Sequence, residues 1–287
     1  MNQLGVHALV WVGDVHKASI EQAVANSKTA GFDLLELSLH DTTTLDVSHA
    51  REVLATHGLE VACSRGLAFD ADVSSDDPDT VARGETLLHD SLEVANDLGA
   101  KTLCGALYSA LGKYDRPVTA KGRANAVGVL RDLAGAARGK HIDLGIEVVN
   151  RYESNVINTA REALDFIDDI DADNVFVHLD TYHMNIEESD MAQPVLDCGD
   201  RLGYVHVGEN HRGYLGAGAI DFTAFFHALN RIGYRGGITF ESFSSEVVMA
   251  GLSSDLAIWR NLWTDSMDLA CQAREFLNAK LTAARHA

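Results

Sequence analysis

Proline is scarce in this 287-residue chain, with three residues, and cysteine nearly so, with four. No run of about 18 apolar residues occurs anywhere, which leaves no segment to cross a membrane as a helix. Cys63, Cys104, Cys198 and Cys271 form no CxxC pair and no short disulfide spacing, so they read as buried thiols in a reducing compartment. Without a Ser/Gly/Pro-rich linker, nothing divides the chain, and a single domain over 1–287 is expected. Basic residues are also few: 23 against 42 acidic ones, a formal charge of −19. Such a field repels nucleic-acid phosphates and anionic lipid, so neither is an expected partner. The N-terminus, MNQLGVHALVW, has neither a basic region nor a long apolar stretch, which points to a soluble, cytoplasmic protein.

What the chain has in quantity is alternation. Short segments rich in Val, Ile, Leu and Phe recur at 5–11, 32–39, 59–67, 100–108, 142–150, 174–182, 202–209 and 236–243. Most are followed by a longer stretch with helical periodicity, the signature of βα units around a parallel sheet. Eight units in one domain of this length predict a closed (β/α)8 TIM barrel. Helix signals agree: Ala18–Ala30 stops at Gly31, Thr80–Leu98 stops at Gly99, and Thr159 with Glu162 forms a capping box. From Asp255 to Ala284, apolar residues at helical spacing, among them Leu256, Trp259, Trp263 and Leu277, predict C-terminal helices that close the barrel or meet another subunit.

A TIM barrel carries its chemistry at the C-terminal ends of its strands, so ionisable residues late in an apolar run are the candidates. Four consecutive strands supply them: Glu147 in GIEVVN, Asp180 in VHLDTYH, His206 in YVHVGE and Glu241 in ITFES. Any one of these could be half of a buried ion pair. Together, at equivalent positions on strands five to eight, they converge on one side of the barrel mouth, and a shared cation satisfies all four. Three carboxylates and one imidazole form an oxygen-rich set suited to Mn²⁺, Mg²⁺ or Co²⁺. A few residues downstream, Glu153, His183 and Arg212 are placed to meet substrate oxygens. The glycine-rich GYLGAGAIDF lacks the ending of a P-loop and reads as a flexible loop leading to a helix with Asp221 near its start.

The segments IEVVNRYESN, HLDTYHMNIEE, YVHVGENHRGYLGAGAIDF and GYRGGITFESF resemble those of the ketose 3-epimerases, the D-tagatose, D-allulose (psicose) and L-ribulose 3-epimerase group of the xylose-isomerase-like barrels. The resemblance implies one divalent ion per subunit, Mn²⁺ ahead of Mg²⁺ or Co²⁺, held by Glu147, Asp180, His206 and Glu241. It implies that Glu153, His183 and Arg212 hold a ketose at C1 to C3, and that His7, Trp11, Gly66, Leu67, Tyr108 and Ser109 line the sugar pocket. A homodimer or homotetramer is also implied. The expected chemistry is C3 epimerisation through an enediolate, with Glu147 and Glu241 as the two bases on opposite faces of the substrate. The same ligand set also serves hydroxypyruvate and aldose–ketose isomerases. An apurinic-endonuclease-like phosphodiesterase fits less well with the acidic balance, and a non-catalytic sugar-binding protein is a third reading.

Overall fold

The computed structural model describes residues 2–286; Met1 and Ala287 lie outside it. Eight parallel strands form one closed barrel: β1 (Leu4–His7), β2 (Leu34–Ser38), β3 (Glu60–Ser64), β4 (Thr102–Gly105), β5 (Asp143–Glu147), β6 (Val175–Asp180), β7 (Leu202–Val207) and β8 (Gly237–Phe240). Seven of the eight predicted segments contain a strand whole; the first, 5–11, overlaps β1, which starts at Leu4 and gives way after His7 to a 3-10 turn at Ala8–Val10. β1 closes the ring on β8, with Gly5 opposite Thr239.

Around the barrel run α1 (Lys17–Thr29), α2 (Val47–His57), α3 (Pro78–Leu98), α4 (Ala120–Arg138) and α5 (Ala160–Ile170). After β6 come the short α6 (Thr181–Glu187) and α7 (Gln193–Cys198), then α8 (Phe222–Arg231), α9 (Ala250–Asp255) and α10 (Ser266–Arg285). Helix α5 illustrates how the sequence sets its own limits. Thr159 accepts from the Glu162 amide while the Glu162 carboxylate reaches back to the Thr159 amide, satisfying two end donors at once. Ala163, Phe166, Ile167 and Ile170, spaced three and four apart, bury one stripe against the barrel.

Inside the ring, Leu34, Ala62, Cys104 and Tyr204 pack together with Phe176. Five different strands contribute these side chains, as only inward-facing residues can. Gly145 on β5 is small for this reason: a Cβ there would stand 2.7 Å from that of Cys104 and 2.8 Å from the Phe176 ring.

Two expectations are corrected. Helix α10 begins at Ser266, where Asp265 accepts from the Met267 and Asp268 amides; residues 256–265 are a loop, so Leu256, Trp259 and Trp263 do not form a helical stripe. Ala257 in that loop has a left-handed φ of 54°, which an α-helix cannot absorb. The helix proper packs on α8 and beside β1 and β8, burying Leu269, Ala273 and Leu277. Cys271 is only partly buried, unlike the other three thiols. Among the described residues no helix is long and apolar enough to cross a membrane.

Candidate active site

Glu147, Asp180 and His206 stand at or near the C-terminal ends of β5, β6 and β7, and Glu241 follows β8 by one residue. Asp180 and His206 are direct neighbours across the β6–β7 pairing. The imidazole of His206 is the pivot. Its Nδ1 lies 3.5 Å from Glu147 Oε1 and 3.5 Å from Glu241 Oε1, while its Nε2 is 2.8 Å from Glu36 Oε2. Asp180 divides its two oxygens: Oδ1 caps α6 by accepting from the Tyr182 amide, and Oδ2 faces the site.

Arg212 supplies the compensating charge. Its Nη1 donates to Asp180 Oδ2 at 3.1 Å and to Glu241 Oε2 at 2.6 Å, and its guanidinium lies 3.9 Å over the Tyr182 ring. The residue holds a left-handed φ of 60°, unusual for a side chain of this size. Glu209 explains how the loop bears it: the buried carboxylate accepts from the amides of Asn210, Gly216 and Ile220 and so folds the glycine-rich segment around itself. Asp221 caps α8 at the end of that loop, as expected.

His183 Nδ1 accepts from both the backbone and side-chain amides of Asn150, which turns Nε2 toward Asp180 Oδ2 (3.7 Å), Glu147 Oε1 (4.0 Å) and Glu153 Oε2 (4.0 Å). The same Asn150 amide donates to Glu153, so one residue aligns two site side chains. Glu153 and Arg212 also line a side cavity of about 150 Å³ with Tyr182 and residues 256–260.

Burial acts differently on each carboxyl. It pushes Glu147 up to about 7 and Glu153 to about 7, and takes Asp180 to about 6 despite Arg212. Burial works on Glu241 too, yet the Arg212 and His206 charges hold it below the usual carboxylate range. His206 goes the other way from other buried imidazoles. Burial disfavours its cation, but Glu36 and Glu241 raise its pKa well above the ordinary value.

A metal ion suits these residues. Asp180, His206 and Glu241 each present a ligand atom within 4.8 Å of one another, as do Glu147, Asp180 and His183, and Glu147, His178 and His206. His206 Nδ1 is buried without a hydrogen-bond partner and points at two carboxylates, so the site calls for positive charge at that atom.

The main cavity, about 660 Å³, opens beside Glu147, His206 and Glu241 and is walled by His7, Gly66 and Leu67. The other three expected pocket residues are elsewhere. Tyr108 is fully buried against Phe166, and its hydroxyl donates to the backbone oxygens of Glu147 and Ile157. Trp11 donates to Ser27 on α1, and Ser109 bonds Ser154; neither borders the cavity. Tyr108 thus supports the wall from behind, through the Glu147 backbone.

Three site residues escaped the sequence reading: Glu36, Asn150 and His178. Glu36 stands within an aliphatic strand run, the signal that identified Glu147, but lies mid-strand and not at its end. His178 is fully buried, 4.2 Å from His206 ring to ring, with neither nitrogen hydrogen-bonded.

Residues 24–273 match the family described as the Xylose isomerase-like TIM barrel. The L-ribulose 3-epimerase of Methylomonas sp. (strain DH-1) is 50% identical over 278 residues, covering 97% of each chain. The ketose 3-epimerase of Arthrobacter globiformis is 50% identical over 281 residues, 98% of this chain and 97% of that one. The chain belongs to the ketose 3-epimerases. Membership extends to three dimensions. The crystal structure of the Methylomonas sp. D-allulose 3-epimerase in complex with D-allulose superposes with a TM-score of 0.96 at 50% identity, covering 97% of both chains. This ketose 3-epimerase family member is therefore an isomerase-class enzyme with the eight-stranded barrel of its relatives.

Proposed function

We propose that this enzyme epimerises free ketoses at C3, interconverting pairs such as D-fructose and D-allulose, D-tagatose and D-sorbose, or L-ribulose and L-xylulose. One observation carries the reading: the carboxylates of two glutamates from different strands, Glu147 and Glu241, flank one imidazole nitrogen at equal distance. A paired acid and base is what inversion at a carbon next to a carbonyl requires.

In this scheme Glu241, held ionised by Arg212, takes the C3 proton through a carboxylate oxygen. Glu147 returns one to the opposite face. The roles exchange when the reaction runs backward. His183 offers Nε2–H and Arg212 its guanidinium to the oxygens at C1 and C2, stabilising the charge that develops on them. Glu153, aligned by Asn150, accepts from a sugar hydroxyl. A divalent cation held by Glu147, Asp180, His206 and Glu241 would act as a Lewis acid toward the oxygens at C2 and C3, and Mn²⁺ is the best match to an oxygen-rich set with one imidazole. The rest of the ketose would extend into the main cavity past His7, Gly66 and Leu67, where Ser38, His40, Ser64, Arg65 and Lys113 also stand.

Incubation with D-fructose and Mn²⁺ in D₂O tests this. The expected result is D-allulose with deuterium at C3; an aldose as sole product would overturn the epimerase reading in favour of an aldose–ketose isomerase.

A further inference from the structure

The carboxylate of Glu36 is fully buried in the centre of the barrel, and among the described residues no lysine or arginine pairs with it. Its Oε2 accepts from His206 Nε2 at 2.8 Å and from the Tyr204 hydroxyl at 2.8 Å. Tyr204 is itself held by Thr239 at 2.5 Å. Its Oε1 has no hydrogen-bond partner and faces His7 Nε2 at 3.6 Å.

The hydrogen-bond pattern assigns the protons. With Nδ1 serving a cation the imidazole carries one N–H, and an anionic oxygen 2.8 Å from Nε2 holds it there, which keeps the Nδ1 lone pair on the side of Glu147 and Glu241. On His7 the Leu9 amide donates to Nδ1, so the proton again resides on Nε2, toward Glu36. One carboxylate thus faces two N–H groups from two strands.

We infer that Glu36 is a positioning residue: from the strand across the barrel it fixes the Nε2–H tautomer and the ring plane of His206, and so presents Nδ1 to the cation. This rests on the quartet's being a metal site. A carboxylate behind a ligating imidazole also raises its basicity, and such partners typically govern metal affinity by about 10- to 100-fold.

The test is Mn²⁺ titration of chelator-stripped protein by calorimetry, with Glu36→Gln, Glu36→Leu and Tyr204→Phe beside the wild type. Glu36→Gln should weaken Mn²⁺ binding by about 10- to 100-fold while the metal-free protein keeps its fold by circular dichroism. Tyr204→Phe, which leaves the His206 bond intact, should change the affinity only a few-fold. In Mg²⁺-loaded protein labelled with ¹⁵N-histidine, the His206 Nε2–H signature should be present in the wild type and weakened or lost in Glu36→Gln. A purely structural glutamate would alter stability but neither reading. Wild-type affinity in Glu36→Gln with an unchanged His206 signature overturns the inference alone. A wild type that binds no Mn²⁺ overturns the metal site as well. Should Glu36→Leu not fold, the glutamine variant and the ¹⁵N spectrum decide.

Discussion

Tyr108 separates contact from support. Its hydroxyl ties β5's last carbonyl to that of Ile157, so it sets where Glu147 begins without reaching the cavity. Tyr108→Phe is expected to lower stability by about 1–2 kcal/mol in urea unfolding, through two acceptors left short of a donor, with KM for the ketose unchanged. A large rise in KM at wild-type stability would restore it to the sugar pocket. The aromatic next to a strand end was legible in the sequence; its direction was not, because a half-turn of loop decides between cavity and core. Glu36 failed for the opposite reason. Its neighbours announce a buried charge as plainly as those of Glu147 do, but position within the strand hid its link to β7. The raised carboxyls make a pH prediction. Glu147, Glu153 and Asp180 keep protons in the fold to about 7, about 7 and about 6, above their unfolded values. Stability from these groups is complete below the ordinary carboxylate range and is lost as pH rises through 6 to 7. Metal-free protein should therefore lose melting temperature from these groups between pH 5 and 8, and the gain on adding Mn²⁺ should be larger at pH 8. Scanning calorimetry at the two pH values, with and without metal, checks both.

Among the elements, strands were the more legible. Each had an aliphatic run, and the parallel barrel buries both faces, so nothing in the pattern competes with that reading. The C-terminal stripe misled because apolar residues at 256–263 answer to a different surface. Leu256 and Ile258 pack beside Leu9, Phe243 and Val248 over the barrel mouth, and Trp263 donates to Ser242 beneath it. Loop backbone with apolar side chains looks like a helix when only spacing is read. Where the start of an element carried its own chemistry, the reading held, as at the capping box of α5. Thr159→Ala should cost about 1 kcal/mol by removing the cap, measured by urea unfolding, with turnover unchanged.

For the whole molecule, charge is the property that reaches furthest. A net −19 surrounds a site of clustered carboxylates, so a divalent cation approaches down its own potential while a neutral sugar feels none. Raising ionic strength from 0.01 M to 1 M shortens the screening length from about 30 Å to about 3 Å. Mn²⁺ association, followed by stopped flow, should slow markedly over that range, whereas KM for the ketose at saturating metal should stay level. A KM that tracks salt instead would point to a charged substrate.

The bond between Glu36 and His206 spans 170 residues of chain. At the ribosome, adding about 5–20 residues each second, the glutamate would emerge roughly ten to thirty seconds before the histidine it is meant to meet. During that interval the barrel lacks β7 and β8, and the Glu36 carboxylate has His7 beside it but neither the imidazole of His206 nor the phenol of Tyr204 that bond its Oε2. The nascent six-stranded sheet therefore has reason to stay open and hydrated at its centre, and closure of the ring and assembly of the polar heart become a single late event.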